Sequence, residues 1–122
     1  RMELAVTCAN GASIYVDYAH TPDAVATALK ALRPHVMGRL VVVLGAGGDR
    51  DPDKRTLMGQ AADRFADIVF VTDDNPRTED PALIRGMVMV GAPDATEVAD
   101  RAEAILRAVY CLQPGDILLI AG

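Results

Sequence analysis

The chain has no tryptophan, two phenylalanines, three tyrosines and two cysteines in 122 residues. So few rings leave little surface for stacking nucleobases, which argues against a binder of single-stranded nucleic acid. Cys8 and Cys111 stand far apart in apolar surroundings, without CxxC or Cys/His ligand spacing. They read as two small core residues of a protein kept in a reducing, intracellular compartment. Positive charge is scarce as well: 12 basic residues face 17 acidic ones, a formal net charge of −5. That balance gives no footprint for nucleic acid or an anionic membrane, so any anionic ligand must be held by a few placed arginines. No apolar run approaches the roughly 20 residues of a membrane span. The start, Arg1-Met2-Glu3-Leu4, is no signal peptide. The expected location is the cytoplasm.

About half of the residues are apolar, enough for one ordinary domain with a real core. Residues Glu3–Cys8 and Ser13–Val16 read as strands around an Asn10-Gly11 turn, a hairpin. After the loop Asp17–Thr21, either Thr21 or Asp23 caps a helix that has Pro22 in its first turn and runs through Leu32. Leu40–Leu44 is a fully apolar strand, and Gly45-Ala46-Gly47-Gly48-Asp49-Arg50-Asp51 is the loop at its end. A helix from Asp51 or Asp53 carries Leu57, Met58, Ala61, Ala62 and Phe65 at helical spacing. Ile68–Val71 is the next strand, and Asp80-Pro81 opens a helix to about Met89. Thr96–Val98 forms a short strand. Asp100 caps a helix with Ile105, Leu106 and Val109 on one face, and Ile117–Ile120 is the last strand. The order predicts an α/β fold, a three-layer Rossmann-like domain with a mostly parallel sheet and an N-terminal hairpin. A buried-strand pattern that stops at Gly122 gives the expectation of a fragment from something longer.

Strand ends of open α/β sheets are where such folds hold ligands. The loops Asp17–Thr21, Gly45–Asp51 and Asp73–Thr78 leave three such ends and should gather along one edge. Asp17 either caps the next helix or accepts two hydrogen bonds from a ribose diol; His20 is satisfied by backbone or meets a base. The glycines are either a tight strand-to-helix turn or a ligand loop, without the Gly-Lys-Ser/Thr ending of a P-loop. Arg50 follows them, where its fork can grip a carboxylate. In the third loop Pro76 fixes its own φ and should push Asn75 into an extended conformation. Asn75 and Arg77 flank it, either in a plain turn with Asp73 or Asp74 as its Asx residue, or as a cradle for a small zwitterion. Glu79-Asp80 reads as a helix N-terminus, Met87 and Met89 as core filler, and His35 as a surface residue without a role.

Taken together, Asp17-Tyr-Ala-His-Thr-Pro-Asp23, Gly45-Ala-Gly-Gly-Asp-Arg-Asp51 with Lys54-Arg55, and Asp73-Asp-Asn-Pro-Arg-Thr-Glu-Asp-Pro81 resemble the C-terminal domain of the Mur ligases. The likeness is greatest to the branch that adds the third residue of the peptidoglycan stem peptide. It implies that residues 1–122 are the amino-acid-binding domain, without the central ATPase domain and the N-terminal UDP-binding domain. It also implies an ATP-dependent, ADP-forming ligation in which a carboxylate attacks ATP, an acyl phosphate forms, and an amine displaces phosphate. ATP and Mg²⁺ would be bound mainly by the central domain; no catalytic or metal-binding residue falls on this chain. By position, Arg1, Asp17 and His20 match residues on the ATP side. Arg50, Asp74, Asn75 and Arg77 match residues that bind the added amino acid.

In the enzymes this chain resembles, Asp-Asn-Pro-Arg goes with meso-diaminopimelate, whereas those adding L-lysine tend to carry aspartate where Asn75 stands. The implied acceptor is UDP-N-acetylmuramoyl-L-alanyl-D-glutamate, and the implied protein partners are the other domains of the full-length chain. The family's Gly-Lys-Gly-His-Glu segment should follow Gly122, so the chain alone is expected to be inactive. The alternatives are a related ligase, for L-lysine or another amino acid or of the cyanophycin or folylpolyglutamate kind, and a non-catalytic Rossmann-like binding module.

Overall fold

A computed structural model describes residues 2–122; the role expected for Arg1 lies outside the described residues. The strands β1 (Glu3–Thr7) and β2 (Ser13–Asp17) form the expected hairpin. Gly11, at φ +94°, makes its turn possible, and the Asn10 side chain accepts the Ala12 N–H at 3.0 Å. There follow α1 (Pro22–Leu32), β3 (Leu40–Leu44), α2 (Asp53–Phe65), β4 (Ile68–Val71), α3 (Pro81–Gly91), β5 (Thr96–Glu97), α4 (Arg101–Cys111) and β6 (Ile117–Ala121). A single 3-10 turn, Arg33–His35, extends α1 past Leu32.

The helix starts follow from side chains that satisfy otherwise orphaned amides. Of the two candidate caps for α1, Thr21 is the one used: its hydroxyl accepts the Ala24 N–H, and Pro22 stands where no amide is needed. Asp80 and Asp100 cap α3 and α4 as expected. For α2 the residue at the cap is Pro52, which has no side chain to offer, and the Asp51 carboxylate accepts the Asp53 N–H from one residue further back.

The sheet runs β1-β2-β6-β3-β4-β5, parallel throughout except for the hairpin pair. Its central strand β3 is buried along its whole length, the pattern of a strand covered on both faces. Side chains alternate between two cores. Leu40, Val42, Leu44, Val69, Val71 and Leu119 pack under α1, α2 and α3, while Val41, Val43, Phe70 and Leu118 pack under α4. The apolar face of α4 is centred on Ala104 and Ala108, not on the larger residues read from the sequence; Leu106 is exposed and Ile105 and Val109 are half-buried. Likewise Leu57 of α2 is half-exposed, and Met58 and Ala62 make the contact with the core.

Gly59 of α2 and Gly91 of α3 let those helices touch backbone to backbone. A Cβ on Gly59 would overlap the Val88 carbonyl oxygen, and one on Gly91 would overlap that of Thr56. Alanine normally favours a helix over glycine by about 1 kcal/mol. Here Gly59→Ala should instead destabilise the fold by about 1–3 kcal/mol, because the helices must separate. Urea unfolding of wild type and variant measures this directly; an unchanged or raised midpoint would contradict it.

The amino ends of the interior strands β3 and β6 are tied by Asp116. Its buried carboxylate accepts from the Arg39 guanidinium at 2.7 Å, the Arg39 amide at 2.7 Å and the Gln113 amide at 2.8 Å. Burial pushes this carboxyl up, but those hydrogen bonds outweigh it and leave its pKa lowered. The group is structural and lies opposite the edge where the three candidate loops emerge.

Candidate functional site

The carboxyl ends of β2, β6, β3 and β4 lie side by side, so the loops after β2, β3 and β4 share one edge. Between them is a hollow of about 570 Å³. Of the residues singled out from the sequence, His20, Arg50, Asp74, Asn75 and Arg77 all line it, beside Tyr18, Lys54 and Met58. Asp17 does not. Its Oδ1 accepts the Ala19 N–H at 2.8 Å, which shapes the loop that carries His20.

Two of the loops are braided together. The Gly48 amide donates to the Asn75 carbonyl at 3.0 Å, and Arg77 Nη1 donates to the Gly48 carbonyl at 2.8 Å. The Thr78 hydroxyl donates to Asp49 Oδ1 at 2.6 Å. Gly48 lies so close to Pro76 that a Cβ would overlap the Pro76 carbonyl oxygen. Here the glycine density of the Gly45–Asp51 loop has its physical cause: another backbone passes where side chains would stand.

The braid also corrects the expectation for Asn75. Its φ is +41°, in the left-handed region, and so are Arg77 at +52° and Asp49 at +56°. The residue before a proline ordinarily stays extended. At this position the chain must fold back onto Gly48, and asparagine is among the residues that tolerate the left-handed region best. Three non-glycine residues in that region within two facing loops constitute strain held by the surrounding hydrogen bonds.

Two acidic residues do more than the sequence suggested. Glu79 is not merely near the start of α3: its carboxylate takes both terminal nitrogens of Arg55, at 2.6 and 3.0 Å, and the Asp49 amide. The Arg55 guanidinium and then the Asp49 N–H hold its pKa below the usual carboxylate value, while Glu79 raises that of Arg55. Asp73 makes no Asx turn; it pairs with Arg85 of α3, which also binds Glu97 at 2.9 Å. Met87 is partly exposed and lies 3.4 Å from Arg55 Nη1, so it is no simple core filler. The signal for the Arg55–Glu79 pair was weak in sequence: the two are 24 residues apart, in different elements.

The side chains of Arg50, Lys54, Asp74 and Asn75 have no hydrogen-bond or ion-pair partner among the described residues. The hollow thus offers exposed cations at Arg50, Lys54 and Arg77, a carboxylate at Asp74, an amide at Asn75 and an apolar floor at Met58. Groups of both signs around one cavity suit a ligand bearing both carboxylate and ammonium groups. His20 is exposed, with Nδ1 2.9 Å from the Tyr18 carbonyl oxygen, beside the exposed Tyr18 ring. No group of three or more His, Cys, Asp or Glu that could hold a metal ion occurs among the described residues. No helix is long and apolar enough to cross a membrane among them.

Comparison with known proteins adds the following. A family profile described as Mur ligase, glutamate ligase domain, matches residues 1–122. The chain is 57% identical, over its full length, to the UDP-N-acetylmuramoyl-L-alanyl-D-glutamate–2,6-diaminopimelate ligase of Chelativorans sp. strain BNC1, covering 25% of that protein. It superposes with a TM-score of 0.91 and 44% identity on a solved structure of a ligase of the same name, covering all of this chain and 26% of that one. A bifunctional folylpolyglutamate/dihydrofolate synthase, solved with Mn, AMPPNP and L-glutamate bound, superposes at 0.75 over 96% of this chain and 27% of its own. At 18% identity that likeness extends to the fold alone. The chain spans about a quarter of the length of the curated relatives it matches.

Proposed function

The chain belongs to the Mur ligase family, and from that premise we propose that it is the amino-acid-binding domain of an ATP-dependent ligase. The full-length enzyme would add meso-diaminopimelate to UDP-N-acetylmuramoyl-L-alanyl-D-glutamate, in the cytoplasm. The observation that carries this reading is the mixed-charge hollow in which Arg50, Asp74, Asn75 and Arg77 come together. Diaminopimelate has an ammonium-carboxylate centre at each end. Arg77 and the neutral Asn75 amide receive the far carboxylate, Arg50 grips a carboxylate through its fork, and Asp74 favours an ammonium. L-lysine ends in an ammonium alone, which Arg77 would repel; the arginine thereby discriminates between the two amino acids.

The nucleotide side is carried by the loop after β2. His20 and the Tyr18 ring fit the face of a base, and Asp17 holds their loop in shape through the Ala19 amide. ATP and Mg²⁺ would supply activation of the acceptor carboxylate as an acyl phosphate, bound chiefly by a central domain beyond this chain. The contribution of residues 1–122 is to hold the incoming amine and, with the other domains, to keep water from the activated acid.

The test uses the full-length ligase. ATP-dependent phosphate release, with the UDP-muramoyl dipeptide supplied, should be strong with meso-diaminopimelate and weak with L-lysine. Asn75→Asp should move that ratio toward lysine, and the isolated chain should release no phosphate. A wild-type enzyme that prefers lysine would refute the substrate, and turnover by residues 1–122 alone would refute the division of labour.

A further inference from the structure

Arg55 differs from the other basic residues around the hollow. Arg50, Lys54 and Arg77 are exposed, whereas Arg55 is 2% exposed. Its guanidinium is spent within the protein: both terminal nitrogens on Glu79, Nη2 also 3.3 Å from the Gly47 carbonyl oxygen, and Nη1 near the Met87 sulfur. Nε is enclosed without a hydrogen-bond partner among the described residues. A group so enclosed does not grip a ligand.

What it touches defines its use. Gly47 and, through Glu79, Asp49 belong to the loop that presents Arg50. Glu79 lies two residues beyond Arg77, and its own amide closes the turn by donating to the Pro76 carbonyl at 3.0 Å. We infer that the Arg55–Glu79 pair is a positioning device that fixes the spacing of the two braided loops, and with it the span between Arg50 and Arg77 across the hollow. The inference rests on the functional reading above for the identity of the ligand, but not for the geometry.

Thr78–Asp49, which also joins the loops, is exposed, and water competes for it. The Arg55 end of the Arg55–Glu79 pair is enclosed. Although the Glu79 side chain is 35% exposed, a bidentate pair anchored on a buried guanidinium resists that competition better and has one good geometry. Such pairs add little net stability over an apolar pair of similar volume; what they can supply is a defined arrangement. A binding site tolerates errors of only about 0.5 Å in its supporting shell. The two left-handed residues nearest the ligand, Asn75 and Arg77, need such a tether to stay where they are.

The experiment again uses the full-length ligase, with Glu79→Gln, Arg55→Lys and the apolar double variant Arg55→Met with Glu79→Leu, the last chosen to keep the fold. Hydrogen exchange followed on peptides covering residues 45–51 and 73–79 should speed up in both loops together while the melting temperature stays near wild type. The KM for the amino acid should rise about tenfold or more, as for misplaced groups in general, while that for ATP is unchanged; Arg55→Lys should recover part of the loss. Loops that remain protected in a folded variant would overturn the inference, as would KM values for both substrates that rise in proportion. Should the wild type prefer another amino acid, the substrate reading falls, and loosening of both loops in the variants would still support the tether.

Discussion

Replacing Arg77 by alanine in the full-length ligase should raise the KM for diaminopimelate by roughly 30- to 900-fold, the equivalent of about 2–4 kcal/mol for a lost charge-assisted carboxylate contact. The KM for ATP should stay nearly constant, because Arg77 and His20 approach the hollow from different loops. Two further consequences of the geometry bear on the size of the effect. Arg77 Nη1 is one of the hydrogen bonds that braid the loops, through the Gly48 carbonyl. In addition, the residue has φ +52°, a strained conformation for arginine and alanine alike, so a loop freed of the Nη1 hydrogen bond relaxes away from it. Both push the effect towards the upper end of the range. Steady-state kinetics with each substrate varied in turn decides the matter. Equal rises in both KM values would mean that Arg77 holds the domain together and does not bind the amino acid.

The second large effect is expected from Gly48→Ala. One methyl group would collide with the Pro76 carbonyl oxygen, a backbone atom that no rotamer change can move aside. The loops must part, which breaks the Gly48–Asn75 and Arg77–Gly48 hydrogen bonds together. Misplacement of about 1 Å commonly costs about 100-fold in an assembled site, and a loss of that order in kcat/KM for the amino acid is expected. The sheet and its two cores do not depend on this crossing, so the melting temperature should fall much less than after a core deletion. Calorimetry beside the kinetics checks this. A variant with normal kinetics would show that the crossing is dispensable.

The elements were legible because the apolar periods and the caps agree with each other. The all-apolar run at Leu40–Leu44 could only be a strand covered on both sides, and Asp80-Pro81 and Asp100 mark helix starts by a local hydrogen bond. The convergence of the candidate residues followed from sheet topology, since all three loops leave carboxyl ends of parallel strands. What stayed hidden depends on distant partners. Glu79 looked like a helix-end residue because the guanidinium that claims it lies on another helix. The left-handed turn at Asn75 was hidden for a related reason: local proline stereochemistry favours the opposite, and only contact with Gly48 reverses it. Alanines made the buried centre of α4 because size, not hydropathy, decides how closely a helix can lie on a sheet.

The two cores are divided by strand alternation, and Arg50, Asp74, Asn75 and Arg77, the side chains proposed to grip the ligand, stand on connectors outside them. Recognition and architecture are therefore separately mutable here. On the proposed function, an Asn75→Asp exchange would redirect which monomer is taken up while the folding free energy barely changes, since aspartate also tolerates the left-handed region. A lineage could then explore new cell-wall chemistries without first acquiring a more robust framework.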